Sequence, residues 1–323
     1  MQIRDQLAED FLKKNLSDYS RKPIHGDASF RHYERIFSGN ESYILMDAPP
    51  EKEKIEPFIY VAEFLHGNGF SAPEILGKDI GKGFLLLEDL GDTSFRKAIN
   101  EGADEHTLYR LAADVLIKLH QLPPPEKLVD HGQRALQEVN RLIEWYFPLV
   151  YGNKPDEKIC EEFNSIWQDI LKKAGKGSVV CLFDYHSDNL MLINDRNGIN
   201  KVGLLDFQDA VVGSPLLDLA ALLQDIRREV SKNVQEECLD YFISKTNSDK
   251  NKTMTQYRIC GAQWNTRILG TFARLSLRDK KNSYLKYMPT VWKKVEENLQ
   301  HPALAPLKGW FDKYIPIEKR YAA

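Results

Sequence analysis

VVCLFDYHSDNLMLINDRNGINKVGLLDFQDA, residues 179–210, decides how the rest of the chain is read. Val179 to Phe183 is an apolar run with the length and character of a buried strand. A polar turn, Asp184 to Asn189, follows, and the chain becomes apolar again from Leu190 to Ile193. Asp195-Arg196-Asn197-Gly198 is a hairpin signal, after which Val202 to Leu205 leads to Asp206. Pairing of the two apolar runs across that hairpin predicts that Asp206 returns beside the loop holding Asp184 and Asn189. Asp and Asn are also ordinary turn residues, so a hairpin with polar ends is the plain alternative.

Oxygen-only ligands suit a hard cation, and magnesium is usually held by one or two protein groups with substrate phosphates and water. An Asp, an Asn five residues on, and a second Asp followed by an aromatic after a hairpin match the protein-kinase catalytic layout. In that layout the first Asp accepts the acceptor hydroxyl's proton, and the Asn and second Asp hold metal. The order and spacing together favour this functional reading.

DYHSDNLM (184–191) followed by GLLDFQDAVVGSPLLDLAALLQD (203–225) resembles the aminoglycoside phosphotransferase and choline kinase superfamily. Within it, the segment is most similar to the bacterial anomeric kinases of N-acetylmuramate and N-acetylglucosamine. The likeness extends to GDASFRHYERI (26–36), YILMDAPP (43–50), SAPEIL (71–76), GFLLLEDLGD (83–92) and LGTFARLSLRDKK (269–281), so it spans nearly the whole chain. It implies an α+β, protein-kinase-like fold of two lobes: a small β-rich N-lobe over 1–90 and a larger, mainly helical C-lobe over 91–323. It implies ATP as co-substrate, Mg2+ as cofactor and a small sugar as acceptor. Asp184 is then the catalytic base, Asn189 and Asp206 the metal ligands, and Asp218 a brace for the catalytic loop. The resemblance also places Ser29, Phe30 and Arg31 over the nucleotide, with Glu88 and Leu90 at the hinge that reads adenine.

Two departures from the wider superfamily stand out. The N-lobe lysine that grips phosphates is absent, with Met46 and Asp47 in its region, and Phe58 occupies the place of its glutamate partner. Arg31 and Arg35 are candidates for neutralising phosphate, against a reading as solvated strand residues. The His usually two residues before the catalytic Asp is Leu182, and His186 is a candidate replacement brace or a simple turn histidine. Three functions compete: an anomeric amino-sugar kinase, a kinase of an aminoglycoside- or choline-like acceptor, and an inactive nucleotide-binding adaptor. The intact loop residues weigh against the last.

The chain has 323 residues, 42% hydrophobic and 28% charged, with a formal charge of −3. That is a globular composition with room for two lobes and no basic footprint for nucleic acid. Cys160, Cys181, Cys238 and Cys260 form no CxxC pair, so neither structural zinc nor a disulfide framework is expected. The charged N-terminal stretch lacks an apolar signal core, and no apolar run approaches the roughly 20 residues of a membrane span. A cytoplasmic protein without membrane contact is the expectation.

Helical spacing predicts helices over 1–19, 57–66, 104–121, 134–147 and 156–173, and again from 255 onward. Strands are expected at 30–37, 42–46 and 83–87. Ser214 and Pro215 are expected to open a helix as N-cap and first-turn residues. His120 reads as a packed or capping residue, and Trp145-Tyr146-Phe147 as core or pocket wall, with core favoured. Gln263, Arg267 and Arg274 recur at intervals of four and seven, which sets them on one helical face. In the family, C-lobe helices build the acceptor pocket, and a lactyl carboxylate on the acceptor would suit an arginine there.

Overall fold

The computed structural model describes residues 2–24, 30–175 and 177–321. Two units divide the chain: Met1–Ala103 with Asp188–Asp209, and Asp104–Ser187 with Ala210–Ala323.

The first unit opens with α1 (Gln2–Asn15), β1 (Ser20–Ile24), β2 (His32–Ser38) and β3 (Glu41–Asp47). Then come α2 (Glu56–Gly67), β4 (Ile75–Asp79), β5 (Phe84–Glu88) and α3 (Phe95–Asn100). The strands make an antiparallel sheet in the order β1-β2-β3-β5-β4. The side chains of Ile36, Leu45, Phe84 and Leu86 gather with Ala8, Phe11 and Leu12 of α1, so this helix covers one sheet face. Arg4 lies 4.4 Å from the Phe84 ring and is ion-paired with Asp47. The strand end where a phosphate-gripping lysine would sit therefore carries a neutralised carboxylate.

The second unit begins with α4 (Glu105–Leu119), α5 (Gly132–Arg141), a π turn over Leu142–Tyr146 and α6 (Phe147–Tyr151). The helix expected at 134–147 thus runs from 132 to 151 and widens in its middle. Pro148, with no N–H to donate back into the preceding turn, follows that widening. Next are α7 (Glu157–Ala174) and the buried strand β6 (Val179–Cys181).

Asp188–Asp209 returns to the first unit as the hairpin β7 (Leu190–Leu192) and β8 (Val202–Leu204), paired Leu190↔Leu204 as the sequence predicts. Ser71 bridges Gly203 and donates its hydroxyl to the Asn200 carbonyl at 2.8 Å, while the Leu192 N–H reaches Thr93 at 2.7 Å. These bonds tie the hairpin to the sheet's own unit.

From Ala210 the second unit continues with β9 (Val211–Gly213), which pairs with β6. Helices α8 (Leu217–Leu223), α9 (Lys232–Thr246), α10 (Lys250–Leu277), α11 (Met288–Leu299), α12 (Ala305–Tyr314) and α13 (Ile317–Arg320) complete it. α8 starts later than Ser214 and Pro215 suggest, because Ser214 closes a separate turn by accepting from the Leu217 N–H at 2.9 Å. α9, α3, β1 and β4 were not expected from sequence spacing. The long α10 packs against α5, α7, α8 and α11. Around it Trp167, Trp292, Trp310, Tyr146 and Phe147 form the core, with the Trp292 indole N–H donating to the Tyr146 hydroxyl at 2.8 Å. His120 is packed edge-on to Phe242, and burial lowers its pKa to about 4. No helix among the described residues is long and apolar enough to cross a membrane.

Candidate active site

Residues 179–210 contribute to both units, since the chain passes from the second to the first between Ser187 and Asp188.

In the second unit, β6 emerges from the core and the backbone turns at Phe183, whose φ is +77°. A left-handed φ is costly for a bulky residue and persists only where its surroundings hold it. Here Asp218 holds it. This fully buried carboxylate accepts the backbone N–H groups of Leu182 at 2.6 Å and Phe183 at 2.9 Å. Burial pushes the Asp218 pKa up to about 7 against the pull of those two hydrogen bonds, and Asp184 raises it further.

The Phe183 ring is enclosed by the edges of His131 and Trp264 and by the guanidinium groups of Arg267 at 4.3 Å and Arg134 at 4.5 Å. Asp184, the next residue, keeps its side chain 25% exposed, with Arg267 Nη1 at 3.9 Å. At that distance the arginine exerts a field on the carboxylate without a hydrogen bond. Both line a cavity of about 100 Å³ with His186, Asp225, Trp264 and Thr271. His186 is buried in that wall. Ser187 is fixed by the buried Asp225, which accepts its hydroxyl at 2.6 Å and its N–H at 3.3 Å. Asp225 escaped the sequence reading, although its place seven residues after Asp218 was a signal.

Gln263 lies elsewhere. It is buried and donates to Glu138 Oε2 at 3.0 Å, in a network with His131 at 3.1 Å and Arg134 at 3.1 Å. Burial pushes the Glu138 carboxyl up, but the His131 hydrogen bond and the charges of Arg267, His131 and Arg134 bring it below the ordinary value. Arg274 is half-buried, two helical turns beyond Arg267 on α10.

In the first unit, the hairpin brings Asn189 and Asp206 together, with Asn189 Nδ2 3.4 Å from Asp206 Oδ2. The Leu205 N–H binds the Asn189 carbonyl at 3.0 Å, which fixes the approach. Asp206 has φ +58°, and Gln208 donates to its other oxygen at 2.8 Å. Phe207 turns into the core and stacks on Phe58 at 4.9 Å. The position that lacks a glutamate therefore seats the aromatic that follows Asp206. Asp188 is ion-paired with Arg96 at 2.5 Å.

One carboxylate and one amide at such separation fit a hard cation with few protein ligands. No cluster of three or more His, Cys, Asp or Glu suited to a metal occurs among the described residues. A site completed by nucleotide phosphates needs none.

Of the nucleotide candidates, Ser29 lies outside the described residues, and Phe30 is 58% exposed. Arg31 is buried and ion-paired with Glu53 at 2.6 Å. It also hydrogen-bonds Tyr33, whose pKa is raised to about 12, mainly by burial and in part by the charge of Asp206. Arg35 is held by Asp89 and Asp92, each at 2.6 Å. Glu88 is ion-paired with Arg196, and the Leu90 side chain fills space that a Cβ on Gly203 would enter.

A small antiparallel sheet unit, a helical unit and an Asp…Asn…Asp stretch between short strands define a protein-kinase-like phosphotransferase architecture. The model of the phosphotransferase enzyme family matches residues 20–249. The chain is 35% identical to the N-acetylmuramate/N-acetylglucosamine kinase of Caulobacter vibrioides, over 98% of both chains. It is 30% identical to the enzyme of that name from Pseudomonas aeruginosa, over 88% of this chain and 86% of the relative. Among solved structures, a choline kinase from Streptococcus pneumoniae superposes with a TM-score of 0.66 at 16% identity, covering 92% of this chain and all of that one. An ADP-bound aminoglycoside phosphotransferase superposes with a TM-score of 0.63 at 16% identity, over 91% and 99%. The chain belongs to the phosphotransferase enzyme family, as an ATP-dependent kinase with the protein-kinase-like fold.

Proposed function

We propose that this kinase phosphorylates the anomeric hydroxyl of N-acetylmuramate or N-acetylglucosamine, giving the sugar 1-phosphate. The observation that carries this reading is likeness along the entire chain to kinases named for these sugars. The Asp184 wall supports it: Arg267 faces the cavity, and the buried Asp225 there is bonded to Ser187. A polycationic aminoglycoside would call for an acidic wall.

In this reading Asp184 orients the acceptor hydroxyl and accepts its proton as the sugar oxygen bonds to the γ-phosphorus and the bond to ADP breaks. Asp218 and Asp225 hold the loop that presents Asp184, and His186 supports it from the cavity wall. Asn189 and Asp206 hold Mg2+, which supplies charge neutralisation at the phosphates. Arg31, oriented by Glu53, takes the role of the missing lysine. Glu88 and Leu90 mark the hinge segment whose backbone reads adenine, at the boundary near residue 90 that the sequence suggests, and Ser29 and Phe30 cover the phosphates. Arg267 and Arg274 serve the acceptor, while Gln263 acts through Glu138. In this reading the enzyme works in the cytoplasm, where ATP is at hand and its four cysteines stay as free thiols, with a sugar and ATP rather than nucleic acid or membrane as partners.

Phosphotransfer assays over a panel of amino sugars, with product position read by phosphorus NMR, test this. A 1-phosphate doublet coupled to the anomeric proton is expected. Phosphorylation elsewhere on the ring, or only of choline or aminoglycosides, overturns it.

A further inference from the structure

α10 carries glycine at 270, where a Cβ would fall 2.2 Å from the Arg141 carbonyl carbon and 2.5 Å from Arg141 Cβ. The glycine thus lets the last residue of α5 lie directly against α10, just where the π turn begins. Arg141 Nη1 donates to the Thr271 hydroxyl at 3.3 Å, and Thr271 donates to the Arg267 carbonyl at 2.9 Å. Thr271 and Arg267 line the cavity that contains Asp184.

Three guanidinium groups are therefore gathered on this side of the unit. Arg141 is held below its usual pKa by burial and by the charges of Arg267 and Arg274. Arg274 is lowered by burial, by Arg278 and by Arg267. The acids nearby are engaged or screened. Glu138 is bonded to His131 and Gln263 and paired with Arg134, and Asp279 is taken by Arg278. Glu144 is exposed, and Asp184 stands 3.9 Å from Arg267. The Nε groups of Arg267 and Arg274 are buried without a hydrogen-bond partner. Like charges packed this way are costly unless an anion joins them. The cavity wall itself holds Arg267 and Arg227, and Arg141 meets it through Thr271. At about 100 Å³ the cavity is far smaller than the roughly 300–1,000 Å³ that encloses a whole ligand, so it takes a ligand's arm.

We infer that Arg141, Arg267 and Arg274 form a subsite for a carboxylate on the acceptor, and that Arg141 sets a preference for an acidic over a neutral amino sugar. The inference rests on the amino-sugar reading above. N-acetylmuramate is N-acetylglucosamine with a lactyl ether, and its carboxylate is the only charge by which the two differ. A planar fork of donors suits that group.

Arg141→Gln keeps the stem that packs on Gly270 and removes the charge. The loss of kcat/KM on N-acetylmuramate is expected to exceed the loss on N-acetylglucosamine by roughly 10- to 100-fold, carried by KM. The unliganded variant should melt no lower than the parent, because one of three repelling charges is gone. Equal losses on both sugars, or a parent enzyme with no preference for the acid, overturn the inference while leaving the kinase reading intact. If the parent turns over neither sugar, the kinase reading fails. Calorimetric titration of N-acetylmuramate and N-acetylglucosamine without nucleotide still decides the subsite. Tighter binding of the acid that Arg141→Gln abolishes upholds it; equal binding, or none of the acid, overturns it.

Discussion

Asp184 and His186 lie two residues apart on one loop and line one cavity, so their roles separate only by substitution. Positioning and charge stabilisation dominate phosphoryl transfer, with general-base help worth roughly 10²–10⁴-fold. Asp184→Asn is expected to fold, to bind ATP nearly normally and to lose turnover in about that range. His186→Ala should lose much less. The opposite ranking, measured at saturating ATP and sugar, would reverse the base and the brace. Asp206→Ala should be inactive at any magnesium concentration, while Asn189→Ala should only raise the magnesium requirement, since water can replace an amide ligand. Near-normal turnover in Asp206→Ala would sink the metal assignment. The meeting of Asn189 and Asp206 was legible, because the hairpin that joins them is set along the chain. Gln263 shows the limit. Spacing of four and seven groups it with Arg267 and Arg274, but its amide is committed to Glu138 on α5, a partner that periodicity along α10 cannot reveal.

Single elements carry the strain of the loop that presents Asp184. Asp218, in the first turn of α8, is the acceptor that keeps Phe183 at positive φ. Its carboxyl ordinarily titrates near 3.8 and in the fold near 7, chiefly because of burial. The folded state therefore holds the extra proton between those values, and this group's contribution to stability falls as pH rises from about 4 to about 7. Activity should move the other way, because the ionised form offers both oxygens to the loop. An acid limb in kcat near pH 7 is expected, and the parent's melting temperature should gain on that of Asp218→Asn as pH falls across that window. The comparison isolates Asp218, because His120, lowered to about 4, tilts the parent's own slope the other way. Asp218→Asn should remove that stability slope. It should also leave one N–H facing an amide NH2, at a cost of about 1–3 kcal/mol, and be poorly active at every pH. A fully active Asp218→Asn would remove Asp218 from the loop's support.

Gly270 tests α10 in the same way. Alanine is favoured over glycine in a helix interior by about 1 kcal/mol, but overpacking against backbone costs about 1–3 kcal/mol. The Arg141 carbonyl carbon cannot swing aside as a side chain can, so Gly270→Ala should lower the melting temperature. A raised melting temperature would show that α5 and α10 separate freely. Helices with one apolar face, such as α4, were readable from spacing. α9 was not, since its buried Val234, Cys238, Leu239 and Phe242 are diluted by polar neighbours, and the π turn leaves no mark on a period of 3.6.

At the scale of the whole molecule, the sequence suggests a lobe that ends near residue 90, whereas the first unit also recruits Asp188–Asp209. A linear reading cannot foresee this, because the hairpin's partners are far away in sequence: Ser71 donates to Asn200, 129 residues on, and the Leu204 N–H binds the Ser71 carbonyl at 2.8 Å. Phe58 of α2 is covered by Phe207 from the same segment. The fragment 1–103 would therefore expose one face of Phe58 and leave the Ser71 carbonyl and hydroxyl without their partners. Small units have little stability in reserve, so losing a buried aromatic contact and several hydrogen bonds is enough to abolish cooperative folding. The isolated fragment is expected to show a broad, non-cooperative thermal transition and poorly dispersed amide resonances. Adding a synthetic peptide of residues 188–209 in excess should restore dispersion by mass action. A fragment that unfolds in a sharp two-state transition without the peptide would show that the sheet and α1 make a self-sufficient lobe, and that the hairpin is held by the unit rather than part of it.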